Sequence, residues 1–163
     1  DIGTGSGCII ISIIKERENC KATAIDKSLK ALKVAKLNAE MHHVQKKIKF
    51  LNIDVDKYLA NKYDLIVSNP PYIKDIEILS LDKDVKLNEP KLALSGGKSG
   101  LNKVFKVIKK SQKLLKTNGK LILEIGDKQS KEVKKYLIKN NFNQIKIFKD
   151  LSGKNRCVVS TKS

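Results

Sequence analysis

The stretch Asn69-Pro70-Pro71-Tyr72 combines residue types that can hold a flat NH2 group. Proline has no backbone N–H, but its carbonyl oxygen is free and its φ is fixed. The Asn69 side-chain oxygen and the Pro70 carbonyl can accept both hydrogens of one planar amine, and the Tyr72 ring can lie against it. This suits a conjugated, weakly nucleophilic nitrogen of an amide, adenine or cytosine. We therefore predict that Asn69, Pro70 and Tyr72 are catalytic and that Pro71 completes the substrate-binding set.

The glycine-rich segment DIGTGSG near the beginning of the sequence is a second candidate site. Its three glycines allow tight turns and close approach of the backbone to a ligand. The helix expected next directs free N–H groups and its positive dipole end toward a carboxylate. The G-x-G-x-G spacing differs from the dinucleotide fingerprint and from the P-loop. The predicted cofactor-binding residues of this segment are Gly3, Thr4, Gly5, Ser6 and Gly7.

Two acidic residues stand at the ends of the next two expected strands. Asp26 lies where a carboxylate can accept both ribose hydroxyls of a nucleoside, although such a residue can also simply cap the next helix. Asp54 can accept a hydrogen bond from an adenine amine, with Val55 stacking against the base. Together with the glycine segment, these positions describe a pocket for an adenosine that carries an amino acid. They predict S-adenosylmethionine as the cofactor.

Strand-like and helix-like runs alternate along the 163 residues, which predicts an α/β fold with a Rossmann-like, doubly wound sheet. Strands are expected at 22–25, 48–53, 63–68, 121–125, 145–148 and 157–160. Helices are expected at 8–18, 28–42, 101–116 and 130–139, with Asn118-Gly119 ending the third. Ser28 can cap the second helix, which has Leu32, Ala35 and Ala39 on one face. The last two strands should form an antiparallel pair. Because the glycine turn of such a sheet follows a buried central strand, we expect the first strand to be truncated and the chain to be a fragment.

The composition is that of a globular domain with a large excess of lysine. The net charge is +17, and only Arg17 and Arg156 of the 34 basic residues are arginines. The excess favours weak attraction to RNA or a ribosome-like surface. However, arginine supplies the more specific phosphate and base contacts, and A/T-rich codons also produce lysine. Three cysteines without a C-x-x-C pair, and no visible secretory leader or membrane span, predict a cytoplasmic location.

Other polar residues are given supporting roles. His42 and His43 end a helix without a cysteine or carboxylate at metal spacing, so no metal site is expected. Glu124 lies inside the fifth strand, where we expect a structural role near the cofactor cleft. Glu89-Pro90 is a candidate for the rim of the substrate site.

The motifs occur in the order found in the peptide chain release factor glutamine methyltransferases, the HemK/PrmC-like family. The sequence resembles that family along its whole length, in the segments DIGTGSGCI, AIDKS, LIVSNPPYI, NEPKLALSGGKSGL, LILEIGDKQ and KDLSGKNRCVV. NPPY alone is shared with DNA and RNA amino-methyltransferases. The glycine pair of LALSGGKSGL and the LEIG strand are more particular to glutamine methylation. The family usually has an aspartate where this sequence has Ser99, to which we assign no role.

The resemblance implies a seven-stranded class I methyltransferase sheet with S-adenosylmethionine as donor. It implies methylation of the side-chain amide nitrogen of glutamine in the Gly-Gly-Gln motif of release factors. It also implies that the glycine segment holds the methionine end, Asp26 the ribose, and Asp54 and Val55 the adenine, while Asn69 faces both cofactor and substrate. Family members carry a helical N-terminal domain and a first strand before this point. Residues 1–163 are therefore expected to be the catalytic domain alone.

Three alternatives stay open. The charge and the NPPY motif favour methylation of an exocyclic amine in DNA or RNA, although aromatic residues are only 5% of the chain and no recognition domain is visible. A second alternative is methylation of a ribosomal-protein glutamine. The third is an inactive, truncated remnant.

Overall fold

The computed structural model describes residues 1–17, 19–59, 62–78 and 94–163. These fall into two compact units, Asp1–Ala60 and Asn61–Ser163. Both units combine helices with parallel strands, so the predicted α/β class is confirmed.

The first unit is built on a two-stranded parallel sheet. Strand β1 (Ala22–Asp26) pairs in register with β2 (Ile48–Asn52), and both end within a residue of their predicted bounds. Helix α1 (Cys8–Glu16) precedes β1, and helix α2 (Leu29–Met41) connects the two strands through a short 3-10 turn at Gln45–Lys47. A parallel connection of this kind requires such a crossover helix.

Helix α2 follows its sequence pattern closely. The Ser28 hydroxyl accepts a hydrogen bond from the Ala31 N–H at 3.2 Å, which is the predicted N-cap. Leu32, Ala35 and Ala39 form its buried face, and His42 ends the helix, as predicted. Helix α1 ends at Glu16, earlier than the predicted residue 18, which lies outside the described residues.

The first residues of the glycine segment pair with β1. The Ile25 N–H donates to the Asp1 carbonyl at 2.9 Å, and the Gly3 N–H donates to the Ile25 carbonyl at 2.9 Å. Ile2 therefore forms a parallel bridge with Ile25 and is buried. This pairing fixes the start of the glycine segment against the carboxyl end of β1.

The second unit is built on a four-stranded sheet of order β3-β4-β6-β5. Its strands are β3 (Tyr63–Ser68), β4 (Leu115–Glu124), β5 (Phe142–Lys149) and β6 (Asn155–Lys162). Its helices are α3 (Asp75–Ile78), α4 (Asn102–Leu114) and α5 (Ser130–Lys139), with a 3-10 turn at Asp127–Gln129 before α5. Strands β3 and β4 are parallel, whereas β6 is antiparallel to both β4 and β5. The predicted C-terminal antiparallel pair is confirmed, and each of its strands is longer than predicted.

The end of α4 corrects the sequence analysis. The helix stops at Leu114 rather than near residue 116, and β4 begins at once. Asn118-Gly119 does not cap the helix, because it lies within the strand, where Asn118 has a φ of +64° and the pairing with β3 shifts register. Tertiary contacts satisfy carbonyls here: the Lys62 ammonium donates to the Lys113 carbonyl, and that of Lys162 donates to the Leu115 carbonyl.

Helices α4 and α5 bury apolar faces in the second unit. Val104 and Ile108 of α4, and Val133 and Leu137 of α5, are completely buried. In the part of the chain that the structure describes, no helix has the length and apolar character needed to cross a membrane.

Candidate functional site

The glycine segment presents bare backbone at two of its positions. Gly3, Gly5 and Gly7 have φ values of +71°, +56° and +82°, a region that disfavours other residues. A Cβ atom added at Gly3 or Gly5 meets no atom within 4 Å, whereas one at Gly7 lies 3.0 Å from Ile11 Cδ1 and 3.2 Å from Ala35 Cβ. The first two glycines therefore leave open space beside the backbone, and the third permits close packing of α1 on α2.

The Asp26 carboxylate braces this segment. Its Oδ2 accepts a hydrogen bond from the Gly5 N–H at 3.0 Å, and its Oδ1 accepts one from the Ser28 N–H at 2.8 Å. The residue is half-buried. Each carboxylate oxygen has a second lone pair, so both can still accept from a ligand. The Asp26 carboxylate thus contacts the N-cap residue Ser28, whose own hydroxyl caps the helix. The predicted ribose contact stays a prediction.

The turn after β2 is joined to Asp26. The Ile53 N–H and the Asn52 side chain both donate to the Asp26 carbonyl, each at 3.0 Å. Asp54 and Val55 follow and are half-buried, and Asp54 Oδ1 accepts from the Asp56 N–H at 2.9 Å. The structure thus brings the predicted cofactor residues of the first unit together at the carboxyl ends of two parallel strands.

Asp1 is a polar residue of this site that the sequence analysis missed. Its Oδ2 accepts a hydrogen bond from the Thr4 hydroxyl at 2.7 Å. Its Oδ1 is buried, and within the described ranges it has no hydrogen-bond partner. Such an atom costs about 1–3 kcal/mol unless something satisfies it. An acidic residue immediately before the glycine run was the sequence signal for this acceptor.

The NPPY segment directly follows β3 in the second unit. Asn69 is exposed, Pro70 is buried, and Pro71 and Tyr72 are half-buried. Across the described parts of the chain, neither the Asn69 amide nor the Pro70 carbonyl makes a hydrogen bond. Two acceptors without a partner among the described residues therefore directly follow the buried end of β3.

Tyr72 is held through its hydroxyl and its backbone. The hydroxyl donates to Glu124 Oε1 at 3.0 Å and accepts from Arg156 Nη1 at 3.2 Å, and the guanidinium carbon lies 5.7 Å from the ring centroid. Gln129 Nε2 donates to the Tyr72 carbonyl at 2.9 Å. Burial of the phenol, reinforced by the charge of Glu124, raises the pKa of Tyr72, while Arg156 opposes the increase. Tyr72 is therefore a neutral phenol at neutral pH.

The glycine pair at 96–97 belongs to a loop that packs against the same segment. The Gly96 N–H donates to the Ile73 carbonyl at 2.8 Å. Gly100 has a φ of +74°, and a Cβ atom there would lie 2.5 Å from the Tyr72 carbonyl oxygen and 2.8 Å from Gln129 Nε2. Gln129 Nε2 also donates to the Gly100 carbonyl at 3.2 Å. Gln129 thus connects the NPPY segment, through Tyr72, to the LALSGGKSGL segment, through Gly100.

The remaining predicted residues have simpler positions. The Ser99 hydroxyl accepts from the Leu101 N–H at 3.2 Å, which stabilises the turn before α4. Glu89-Pro90 lies outside the described residues. Considering only described side chains, no group of three His, Cys, Asp or Glu residues is placed to hold a metal ion.

Comparison with known sequences gives a consistent family. Residues 1–85 match the family model of the methyltransferase small domain. The chain is 38% identical over 160 residues to a bifunctional methyltransferase of Rickettsia felis, covering 98% of this chain and 30% of that protein. It is 36% identical over 163 residues to the release factor glutamine methyltransferase of Thermodesulfovibrio yellowstonii, covering 100% of this chain and 58% of that protein. The chain therefore spans 30% and 58% of the length of these two relatives.

Comparison with solved structures identifies the fold. A methyltransferase from Pyrococcus furiosus superposes with a TM-score of 0.72 at 20% identity, covering 99% of this chain and 73% of that one. The ribosomal protein L11 methylase of Lactobacillus delbrueckii subsp. bulgaricus gives 0.74 at 19% identity, covering 100% and 68%. The predicted class I methyltransferase fold is confirmed. The methyltransferase family model implies S-adenosylmethionine as the methyl donor. The chain therefore belongs to the methyltransferase small domain family.

Proposed function

We propose that this chain transfers a methyl group from S-adenosylmethionine to the side-chain amide nitrogen of glutamine in the Gly-Gly-Gln motif of peptide chain release factors. The observation that carries the proposal is the pair of unused acceptors at Asn69 and Pro70, beside an anchored Tyr72. One relative is named a release factor glutamine methyltransferase, and the LALSGGKSGL segment, whose Gly100 carbonyl accepts from Gln129, resembles that family. Both favour glutamine over other amines. A cytoplasmic location, where release factors act, follows from this proposal.

Residues of the first unit fit the methyl donor. The open space beside Gly3 and Gly5 admits the carboxylate end of an amino acid to backbone N–H groups. The unpartnered Asp1 Oδ1 can accept from an ammonium group, and the free lone pairs of Asp26 can accept from ribose hydroxyls. Asp54 and Val55 are the candidates for the adenine. When bound, S-adenosylmethionine supplies a methyl group that is already activated on a sulfonium.

The residues of the second unit can orient the weak nucleophile, which is the side-chain amide nitrogen of the substrate glutamine. An amide nitrogen has a delocalised lone pair, so it reacts poorly unless it is oriented. The Asn69 side-chain oxygen and the Pro70 carbonyl accept its two N–H groups, align the lone pair for an in-line displacement, and stabilise the positive charge that develops. Such alignment supplies roughly 7–11 kcal/mol in well-oriented systems. The extra proton leaves to water afterwards, so no general base is assigned.

The test is methyl transfer to a defined glutamine. The protein is incubated with labelled S-adenosylmethionine and a release factor, and the control is the same factor with its Gly-Gly-Gln glutamine changed to alanine. We expect label on the first and none on the second. Equal labelling of both factors would contradict the proposal.

One rival substrate class is kept because of the net charge of +17. A basic surface attracts nucleic acid, and an exocyclic base amine presents the same planar NH2 group. Undermodified RNA is therefore included in the same labelling experiment, together with ribosomal protein. Label on RNA alone would favour the rival. The alternative that the chain is an inactive remnant is tested by a thermal shift with S-adenosylmethionine, because a ligand that binds only the folded state raises the melting temperature of the protein. No stabilisation at saturating ligand would favour the remnant.

A further inference from the structure

We propose that Glu124 and Arg156 are positioning residues that act on the substrate amide through Tyr72, by fixing its ring beside Asn69 and Pro70. The inference rests on the proposed function and deepens it. It assigns a role to an ion-pair cluster that the NPPY motif does not include and that comes from distant parts of the sequence.

The first step is the direction of the hydrogen bonds. The phenol has one proton, which it donates to Glu124 Oε1 at 3.0 Å, and its oxygen accepts from Arg156 Nη1 at 3.2 Å. The proton is therefore committed and is not offered to a substrate. What Tyr72 can still present is the face of its ring, which is the part that can pack against a planar amide.

The second step is the rigidity of Arg156. Its Nε and Nη2 atoms both donate to Asp150 Oδ2, at 3.2 Å and 3.1 Å, and Nη1 also donates to the Ile125 carbonyl at 3.3 Å. Asp150 is itself fixed by the backbone N–H groups of Ser152 and Lys154, each at 3.0 Å. The guanidinium is therefore locked between β4 and the turn that joins β5 to β6. Lysine cannot reproduce this planar set of donors.

The third step is the opposite end of Tyr72. Gln129 Nε2 holds the Tyr72 carbonyl at 2.9 Å, while Gln129 Oε1 accepts from the Gly126 N–H at 3.0 Å. Backbone and hydroxyl of Tyr72 are thus fixed independently. The ring can change orientation only if one of these anchors is released.

The ion pair between Arg156 and Asp150 is partly buried. The side chains of Arg156 and Asp150 are 31% and 26% exposed, so part of their hydration is lost. Partly buried ion pairs gain little stability over well-packed apolar residues, because desolvation offsets the attraction. We therefore assign to the cluster the placement of Tyr72, in addition to any stability that the ion pair adds.

The deciding experiment is a double-mutant cycle on glutamine methylation. Arg156→Met and Glu124→Gln are each measured alone and in a Tyr72→Phe background, with Arg17→Met and Glu132→Gln as exposed controls. We expect each site variant to lower kcat about 10–100-fold, because small misplacements are costly, with little change in the KM for S-adenosylmethionine. In the Tyr72→Phe background the further loss should fall below about threefold, because coupled residues are not additive. Equal losses in both backgrounds, or no loss in either, would overturn the inference.

A second readout does not depend on turnover. Tyrosine ionisation is followed by ultraviolet absorbance, and the Tyr72 contribution is obtained by difference from Tyr72→Phe. Arg156→Met should raise the titration midpoint of Tyr72, and Glu124→Gln should lower it, because each removes one opposing charge. If the wild type labels no release factor, the proposed function fails. The titration then still tests whether Glu124 and Arg156 contact the Tyr72 hydroxyl. Unchanged midpoints in both variants would refute the positioning of Tyr72 by these residues.

Discussion

At the scale of single residues, substitution of Asn69 should change activity without changing stability. Its side chain is exposed and bonds to no other described residue, so the folded chain does not depend on it. The neighbouring Pro70, in contrast, is buried. Substitution of Asn69 is therefore the best test of the amide clamp, by which we mean the Asn69 side-chain oxygen and the Pro70 carbonyl that hold the substrate amide.

We expect Asn69→Ala to reduce turnover on a Gly-Gly-Gln substrate by about 10²–10³-fold, the usual cost of one preorganised polar contact in a transition state. The melting temperature should stay close to that of the wild type. Asn143→Ala is the control and should be active, because this residue is exposed on β5 and its amide donates to the Ser163 hydroxyl at 3.0 Å, at the C-terminal strand pair of the second unit. A variant that methylates at the parental rate would show that the clamp is assigned to the wrong residue.

Gly100 is a residue at which close approach requires the absence of a side chain. Gly100→Ala adds a Cβ atom 2.5 Å from the Tyr72 carbonyl oxygen and imposes a left-handed φ on alanine. The conformational term alone costs about 1–2 kcal/mol. Gly153→Ala is the control, because its φ is +76° and the space around it is open.

Denaturant unfolding of both glycine variants measures the difference. We expect Gly100→Ala to lose more unfolding free energy than Gly153→Ala and also to lose activity, because its contacts are with Tyr72 and Gln129. Identical stability of the two variants would mean that the second unit accommodates the extra atom by moving the loop.

At the scale of elements, capping and tertiary contacts define the helix ends differently. Helix α2 begins where its own sequence predicts, with the Ser28 hydroxyl on the Ala31 N–H. Helix α4 ends where its neighbours require, with the Lys62 ammonium on the Lys113 carbonyl and that of Lys162 on the Leu115 carbonyl just after the helix. The first boundary can be inferred locally, and the second cannot.

Ser28→Ala should therefore lower the free energy of unfolding by about 1 kcal/mol, through loss of the N-cap. Ser28→Asn supplies an equivalent acceptor and should restore most of the stability. Urea unfolding of the three proteins gives their free energies of unfolding. An alanine variant as stable as the wild type would show that the Ser28 cap does not stabilise α2.

At the scale of the whole molecule, pH acts on stability through buried groups. Tyr72 has a raised pKa in the folded state, from burial first and then from Glu124. Its stabilising contribution is complete below the pKa of an unfolded tyrosine, about 10. It is lost as the pH rises toward the folded value, because the unfolded chain then binds fewer protons than the folded one.

Above pH 10 we expect the unfolding free energy of the wild type to fall more steeply than that of Tyr72→Phe, which has no phenol at this position. The slope of stability against pH for the two proteins is the measurement. Parallel slopes would show that Tyr72 does not titrate as a coupled, buried group.

Much of this protein follows from local patterns in its sequence. The class of fold, the bounds of β3 and α5, the Ser28 cap and the glycine segment were all predicted, because propensity, periodicity and turn chemistry act over a few residues. The family resemblance then supplied the expected reaction.

Tertiary structure decided what depends on residues far apart in sequence. The end of α4, the buried oxygen of Asp1 and the anchors of Tyr72 all arise from such contacts. Arg156 reaches Tyr72 across 84 positions of sequence, and Gln129 reaches it across 57. No local pattern encodes those pairs, because hydrogen bonds between distant segments form only when strand order and register bring the segments together.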